Sequence, residues 1–349
     1  MDDDGLVPDA LREAIAAVKA AGKTAKFLYT IPNFHNPAGV SLSDARRDEV
    51  LAICQEAGLL VLEDNPYGLL GFDGPPTPAI RARGGEDDVV YLGSFSKTFA
   101  PGLRVGWVVA PHAVREKLVL ASEATVLCPP QLNQLVVVDY LTTQDWRGQV
   151  EVFKDIYRER RDALLDALTQ LMPEGTTWTK PTGGFYVWLT LPEGLDSKVM
   201  QPRALSARIA YVPGVGFYAD GQGGRDLRLS YCFPEPDRVR EGVRRLAGVG
   251  EAELDLLEKC GPSPAGRARS PTSLPRSAGG ADARAVRTRS SPEAGRRSAQ
   301  RSSRWWRWAL RSSSCSRWSS RPSGPVSSKR WRPSSSRCRT DERQDQAGG

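Results

Sequence analysis

Short apolar runs alternate with stretches of helical periodicity over the first 110 residues. Runs of strand length predict β-strands at residues 26–31, 59–62, 89–92 and 105–110. Apolar residues at helical spacing predict helices over residues 8–21 and 44–57. The last three runs are apolar throughout, which is typical of strands buried on both faces. Strands of this kind, separated by helices, predict an α/β fold with a largely parallel sheet.

The pattern changes in the second half of the chain. Helical periodicity covers residues 118–141, interrupted at Cys128-Pro129-Pro130, and a long helix is predicted over residues 147–171. Residues 178–191 and 227–233 alternate apolar and polar positions, which is typical of half-exposed antiparallel strands. These features predict a smaller α+β unit. We therefore divide the chain into the remainder of a large domain (1–146), a small C-terminal domain (147–257) and a tail (258–349).

The tail differs from the rest of the chain in charge and composition. Residues 261–349 contain 20 Lys and Arg against 5 Asp and Glu, whereas residues 1–260 contain 28 against 36. Ser, Arg and Trp replace most aliphatic residues in the tail, so it cannot bury enough apolar surface to fold and is predicted to be disordered. A basic segment with tryptophans could bind nucleic acid by phosphate contacts and stacking. We favour instead a segment without a specific function, such as the out-of-frame translation of a GC-rich gene.

Composition argues against several classes of protein. The six cysteines form no CxxC pair and the chain has only two histidines, which argues against a metal site. A disulfide framework is not expected in a chain of this size. The N-terminus lacks the apolar segment of a signal peptide, and no apolar run approaches the roughly 20 residues of a membrane span. We expect a soluble, cytoplasmic protein with no membrane partner, and nucleic-acid binding is not expected outside the tail.

Three polar clusters each follow a predicted buried strand, at residues 33–39, 63–67 and 94–104. Each cluster alone has a structural explanation, because Asn-Pro pairs form turns and Ser-rich loops cap helices. Ligands bind at the carboxyl ends of the strands in open α/β sheets, however. We therefore expect the three clusters to converge on one site.

The residues in these clusters match one kind of ligand. Lys97, among small and hydroxylated residues, can form an imine with an aldehyde. Ser94, Ser96 and Arg104 can hold a phosphate by hydrogen bonds and a charged contact. Asp64, at the end of a predicted strand, can keep a ring nitrogen protonated. An aldehyde, a phosphate and a basic ring nitrogen together describe pyridoxal 5'-phosphate (PLP).

Three sequence stretches carry a family resemblance. Residues 32–39 (PNFHNPAG), 63–68 (EDNPYG) and 94–107 (SFSKTFAPGLRVGW) resemble the fold-type I PLP-dependent aminotransferases of class I/II. The group that contains 2-aminoadipate and aromatic aminotransferases, and the aminotransferase-like domains of MocR regulators, is the most similar. The resemblance extends from about residue 4 to 257 and implies the aspartate aminotransferase-like fold. That fold has a mostly parallel large domain and a smaller α+β domain.

The resemblance also implies roles for individual residues. Asn36 and Tyr67 are expected to hydrogen-bond the ring hydroxyl of the cofactor, with Asn36 also facing the substrate. The remaining cofactor contacts are expected at the ring nitrogen (Asp64), the Schiff base (Lys97) and the phosphate (Ser94, Ser96, Arg104).

One arginine is expected to bind the substrate. Arg228, in a strand whose apolar residues point the other way, resembles the family's arginine for the substrate α-carboxylate. Arg225 is a second candidate that only geometry can exclude. His35 is expected to be a neighbour of the cofactor pocket, without a catalytic role.

The family normally begins well before Met1. The resemblance therefore implies a fold that is incomplete at the N-terminus. The expected missing parts are the amides that bind the phosphate, the aromatic ring stacked on the cofactor and a tyrosine from the neighbouring subunit. We expect this chain alone to have low stability and little or no transaminase activity.

The function predicted from the sequence is transfer of an amino group from an amino acid to a 2-oxo acid, in a homodimer if the fold is complete. One alternative is the PLP-binding effector domain of a MocR-type transcription regulator, which would need a helix-turn-helix domain upstream. Another is a PLP-dependent lyase or synthase that uses the same lysine. A further alternative is a remnant without catalytic activity.

Overall fold

The computed structural model describes residues 1–260, and these contain two β-sheets. The first sheet has the strand order β1-β2-β3-β4, with β1 (Phe27–Thr30), β2 (Leu60–Asp64), β3 (Val89–Ser94) and β4 (Gly106–Val109). β1, β2 and β3 are parallel neighbours. The helices of this region are α1 (Pro8–Ala20), α2 (Asp44–Glu56), α3 (His112–Val126) and α4 (Gln131–Thr143). The predicted α/β class and its first strands and helices are therefore confirmed.

The second sheet is antiparallel throughout, with the strand order β5-β6-β8-β7. Its strands are β5 (Thr177–Trp178), β6 (Tyr186–Thr190), β7 (Val212–Pro213) and β8 (Asp226–Ser230). Three helices accompany them: α5 (Trp146–Leu171), α6 (Ser197–Ser206) and α7 (Pro236–Cys260). α7 ends at Cys260, three residues beyond the predicted end of the small domain at residue 257. Its Leu254 and Leu257 pack against the core at helical spacing. Residues 261–349, which hold the rest of the predicted tail, lie outside the described residues.

The strand β4 differs from its prediction in direction and in burial. It pairs antiparallel with β3. Trp107, Val108 and Val109 are 40–45% exposed. A parallel strand needs a crossover of a dozen or more residues, usually through a helix. Only the short 3₁₀ turn Pro101–Leu103 lies between β3 and β4, and Arg104 follows it with φ 54°, so the chain reverses there.

The strand β2 was predicted to be buried on both faces, and that prediction is wrong. Val61 and Glu63 are buried, whereas the alternate residues Leu60 and Leu62 are only partly covered. The Glu63 carboxylate accepts hydrogen bonds from the backbone N–H groups of Ile80 (2.9 Å) and Arg81 (3.0 Å). These bonds satisfy the first turn of the 3₁₀ helix Ile80–Arg83, which explains how a carboxylate is accommodated in the core.

Two principal hydrophobic cores lie on the two sheets. The first joins α2 to β2 and β3 through Val50, Leu51, Cys54, Val61 and Val89. The second joins α5 and α7 to β6 and β8 through Leu164, Leu168, Val187, Leu189, Leu227 and Leu246.

Phe72 belongs to the second core, although it follows β2 in the first sheet. Its backbone N–H donates to Thr182 O (2.8 Å), and the N–H of Gly184 donates to Leu70 O (3.1 Å). Its ring lies 6.5 Å from the ring of Tyr231 and 4.9 Å from the guanidinium of Arg161, as centroid distances. The loop after β2 is thus attached to the second sheet.

Candidate active site

The loops that follow β1, β2 and β3 leave the same edge of the first sheet. The parallel register pairs Thr30 with Glu63, and Asp64 with Leu92. The three polar clusters of the sequence therefore begin side by side at the carboxyl ends of the strands, as predicted.

Asp64 is the last residue of β2 and is partly buried. The Tyr29 hydroxyl donates a hydrogen bond of 2.6 Å to its Oδ2. Burial, and then this bond, raise the pKa of the Tyr29 phenol. Tyr29 was not identified from the sequence, because only the β1–β2 register reveals that it shares a sheet face with Asp64.

Asn36 and Arg228 meet although 192 positions separate them along the chain. Arg228 Nη1 donates to Asn36 Oδ1 (2.5 Å), and the guanidinium lies over the rings of Tyr186 (4.2 Å) and Phe217 (5.3 Å). The Nε of Arg228 is buried and has no hydrogen-bond partner among the described residues. A planar fork with an open donor is suited to a carboxylate.

The other candidate arginine points elsewhere. Arg225 Nε donates to Leu191 O (2.9 Å), and its guanidinium lies 3.9 Å from Glu193. The geometry therefore favours Arg228 over Arg225 as the residue that faces Asn36.

Tyr67, Phe185 and Tyr186 form a cluster of rings at the site, which we call the aromatic wall. Tyr67 is buried, and its ring makes edge contacts with Phe185 (5.5 Å) and Tyr186 (6.1 Å). Burial, reinforced by Tyr186, raises the pKa of the Tyr67 phenol, so the hydroxyl stays protonated near neutral pH.

Lys97 approaches the same aromatic wall. It is partly buried, and its Nζ lies 5.7 Å from the centroid of the Phe185 ring. In the part of the chain that the structure describes, no carboxylate lies within ion-pair distance of Lys97. An amine held against a ring, without a carboxylate partner, is available to react with an aldehyde.

The predicted phosphate ligands are only partly brought together. The Ser96 backbone N–H donates to Ser94 Oγ (3.0 Å), which fixes a tight turn before Lys97. Arg104 is exposed and donates to Pro101 O (3.4 Å) within its own turn. Within residues 1–260, neither serine accepts a hydrogen bond from Arg104.

His35 lies next to this site, as expected from the sequence. Burial lowers its pKa to about 4, so the ring is neutral near pH 7. It borders a cavity of about 320 Å³ whose other walls include Trp188, Phe217 and Tyr218.

Comparison with known proteins identifies the family. The family model for aminotransferase class I and II matches residues 2–246. The chain belongs to this family. Among the matched proteins is the aromatic-amino-acid aminotransferase 1 of Thermococcus litoralis, 40% identical over 255 residues, which covers 73% of this chain and 61% of that protein. An uncharacterized HTH-type transcriptional regulator of Bacillus subtilis, YdfD, is 33% identical over 246 residues, covering 70% of this chain and 50% of the regulator.

A solved aminotransferase structure has the same fold. LysN, the alpha-aminoadipate aminotransferase of Thermus thermophilus, was crystallised with N-(5'-phosphopyridoxyl)-L-leucine. It matches with a TM-score of 0.69 at 37% identity, covering 73% of this chain and 65% of LysN. The chain spans between half and two thirds of the length of these relatives. The expected aspartate aminotransferase-like fold is confirmed.

The described residues lack two other kinds of feature. No described helix combines the length and the apolar character needed to span a membrane. Within residues 1–260, no three His, Cys, Asp or Glu side chains cluster in a way that could hold a metal ion.

Proposed function

We propose that this chain carries the catalytic residues of a PLP-dependent aminotransferase, which moves an amino group from an amino acid to a 2-oxo acid. The observation that carries this proposal is the contact between Arg228 and Asn36, next to the aromatic wall that Lys97 faces. Two reactive groups thus lie beside one cluster of aromatic rings. The Arg228 guanidinium can bind a carboxylate, and the Lys97 amine can react with an aldehyde.

The residues of the site fit PLP. Arg228 Nε is a buried donor left open, and Lys97 has no carboxylate partner among the described residues. When bound, PLP supplies an aldehyde that condenses with amines and a protonated ring that withdraws electrons from the substrate Cα. Lys97 is the residue that would hold it covalently. Asn36 and Tyr67 would hold the ring hydroxyl.

The other cofactor residues have electrostatic roles. Asp64 would pair with the ring nitrogen and keep it protonated, with one carboxylate oxygen oriented by Tyr29. The Ser94–Ser96 turn would donate to the phosphate, and Arg104 would supply the positive charge that neutralises it.

Two side chains would act on the substrate. Arg228 would bind the α-carboxylate through its guanidinium and so orient the Cα–H bond. Lys97 Nζ would serve as the base that takes the proton from the substrate Cα. Arg228 and Lys97 are therefore proposed as the binding and catalytic residues. We propose in addition that the complete fold assembles as a homodimer.

The central experiment identifies the lysine that reacts with PLP. The purified chain is mixed with PLP, reduced with borohydride, digested and mapped by mass spectrometry. We expect the phosphopyridoxyl mass on Lys97, with little label in Lys97→Arg. Lys180, which lies on a loop before β6, is the internal comparison. A label spread over surface lysines, with Lys97 unmodified, would remove the proposal.

A second candidate is the effector domain of a transcription regulator, favoured by the match to YdfD. Such a domain would also bind PLP through Lys97, so labelling does not separate the two functions. Turnover of an amino acid with 2-oxoglutarate by a version extended upstream in frame favours the enzyme, because the present chain alone is expected to have little activity. Two results together would favour the regulator. One is a helix-turn-helix domain encoded in frame upstream, and the other is a reaction with the amino acid that does not continue to the 2-oxo acid.

A further inference from the structure

Arg47 is a fully buried arginine on α2, outside the residues assigned above. Its Nε donates to Leu42 O (3.0 Å), and its Nη1 to Pro78 O (3.2 Å). Nη2 donates to Pro32 O (3.2 Å). The guanidinium therefore binds three backbone carbonyls in two loops, the one between β1 and α2 and the one before the 3₁₀ helix Ile80–Arg83.

The fourth bond of Arg47 leads toward the site. Nη2 donates to Asn33 Oδ1 (2.6 Å), and Asn33 Nδ2 donates to Asn65 Oδ1 (2.8 Å). Asn33 is buried and lies three residues before Asn36. Asn65 directly follows Asp64. One chain of hydrogen bonds thus joins α2 to the loops that carry Asn36, Asp64 and Tyr67.

The Asn65 side chain also fits closely against the backbone beside Tyr67. A Cβ atom added to Gly68 would lie 2.5 Å from Asn65 Oδ1, which is closer than real Cβ contacts. Glycine is therefore required at position 68 for the amide to occupy this place. The amide of Asn65 is held between Asn33 on one side and the Tyr67 loop on the other.

Burying a guanidinium in a protein core costs free energy, because the charged group loses its hydration. Burial lowers the pKa of Arg47, and the nearby Glu63 carboxylate only partly opposes that effect. Apolar residues of similar volume often replace a whole buried ion pair without loss of stability. A side chain that instead forms four hydrogen bonds to loop groups restricts those loops to one arrangement.

We propose that Arg47 is a positioning residue for the cofactor site, acting through Asn33 and Asn65 on the loops that hold Asn36, Asp64 and Tyr67. The proposal rests on the proposed function, since the site it positions is the PLP site. Arg47 itself contacts neither substrate nor cofactor.

The test is a double-mutant cycle on PLP affinity, measured by absorbance titration of the full chain with PLP. Asn33→Ala and Asn65→Ala are each expected to weaken binding about tenfold, the size of one lost buried hydrogen bond. The double variant should bind about as well as either single one, because both changes break the same bond. Additive losses, or affinities within twofold of the wild type, would overturn the proposal.

Variants at Arg47 separate positioning from general stability. Arg47→Met should weaken PLP binding at least as much as Asn33→Ala, and Arg47→Lys should restore part of the affinity. Tyr211→Phe is the matched control, because it loses a buried hydrogen bond (2.6 Å, to Ser197 O) in the second core. It should lower the melting temperature and leave PLP affinity unchanged.

The outcomes distinguish the two proposals. If the wild-type chain binds no PLP, the proposed function fails and this inference with it. If the wild type binds PLP while the Asn33 and Arg47 variants lose only thermal stability, as Tyr211→Phe does, the positioning role alone is wrong. If Arg47→Met does not fold, the Asn33–Asn65 cycle decides.

Discussion

The helices of the second core and those of the α3–α4 region bury their apolar residues to very different extents. Leu168 on α5 is fully buried between α7 and the second sheet, whereas Leu132 on α4 is 71% exposed. The same contrast holds for most apolar residues of α3 and α4, of which only Val137 is buried. Apolar periodicity therefore predicts that an element forms, but it does not say what covers the element.

The largest effect on stability is expected from shortening one buried side chain in the second core. Leu168→Ala should lower the free energy of unfolding by about 2–5 kcal/mol, because it removes buried methyl groups and leaves a cavity. Urea unfolding followed by circular dichroism measures the difference.

The control for this change is Leu132→Ala, the same substitution on an exposed helix face. It should alter the free energy of unfolding by about 0.5 kcal/mol or less. Equal losses of unfolding free energy for the two variants would mean that α4 is packed against something in solution. The contrast in burial between the two regions would then be wrong.

A smaller effect is expected from acidification, through His35 in the loop after β1. Its pKa is lowered to about 4 in the folded chain, so the unfolded chain binds more protons below pH 6.5. This contribution to stability is present above pH 6.5 and is lost as the pH falls toward 4, to a maximum of about 3 kcal/mol. Unfolding curves between pH 7.5 and 4.5 measure the slope.

The matched variant is His35→Gln, which cannot titrate in this range. Its unfolding free energy should depend less steeply on pH than that of the wild type. Parallel slopes for the two proteins would show that His35 is not buried in its neutral form.

The smallest effect on stability is expected at the start of a helix, where α6 has a side-chain cap and α3 and α4 have none. The Asp196 side chain accepts hydrogen bonds from the N–H groups of Lys198 (2.8 Å) and Val199 (3.0 Å) at the start of α6. α3 and α4 instead begin after Pro111 and Pro130, without a side-chain cap. Asp196→Ala should cost about 1 kcal/mol in urea unfolding, and Asp196→Asn much less, because asparagine also caps helices. An equal loss for both variants would assign the effect to charge.

Local sequence patterns were enough for most elements, because α2, β3 and α5 each have a clear period and clear ends. The residues of β4 were predicted correctly but its direction was not. The apolar content of a strand does not indicate whether it pairs parallel or antiparallel with its neighbour. The burial of Glu63 was missed, because its partners, the N–H groups of Ile80 and Arg81, lie in a turn without a sequence signal.

The site shows the same division. Lys97, Asp64 and Asn36 stand in dense local motifs and could be identified as candidates from the sequence. Tyr29 and Arg47 could not, because their partners are set by strand register and by loop packing across the fold. Geometry was also needed to favour Arg228 over Arg225, since both lie in or beside the same strand.

Phe72 bears on any attempt to divide the protein into fragments. A piece beginning at residue 147 would contain both strands and helices of the second core, yet it would lack the ring that lies beside Tyr231 and Arg161. Such a fragment would expose a hollow in its own interior and depend on a short peptide around residue 72 to fill it. We expect such a fragment to be less stable than the intact chain, and a peptide around residue 72 to restore part of that stability.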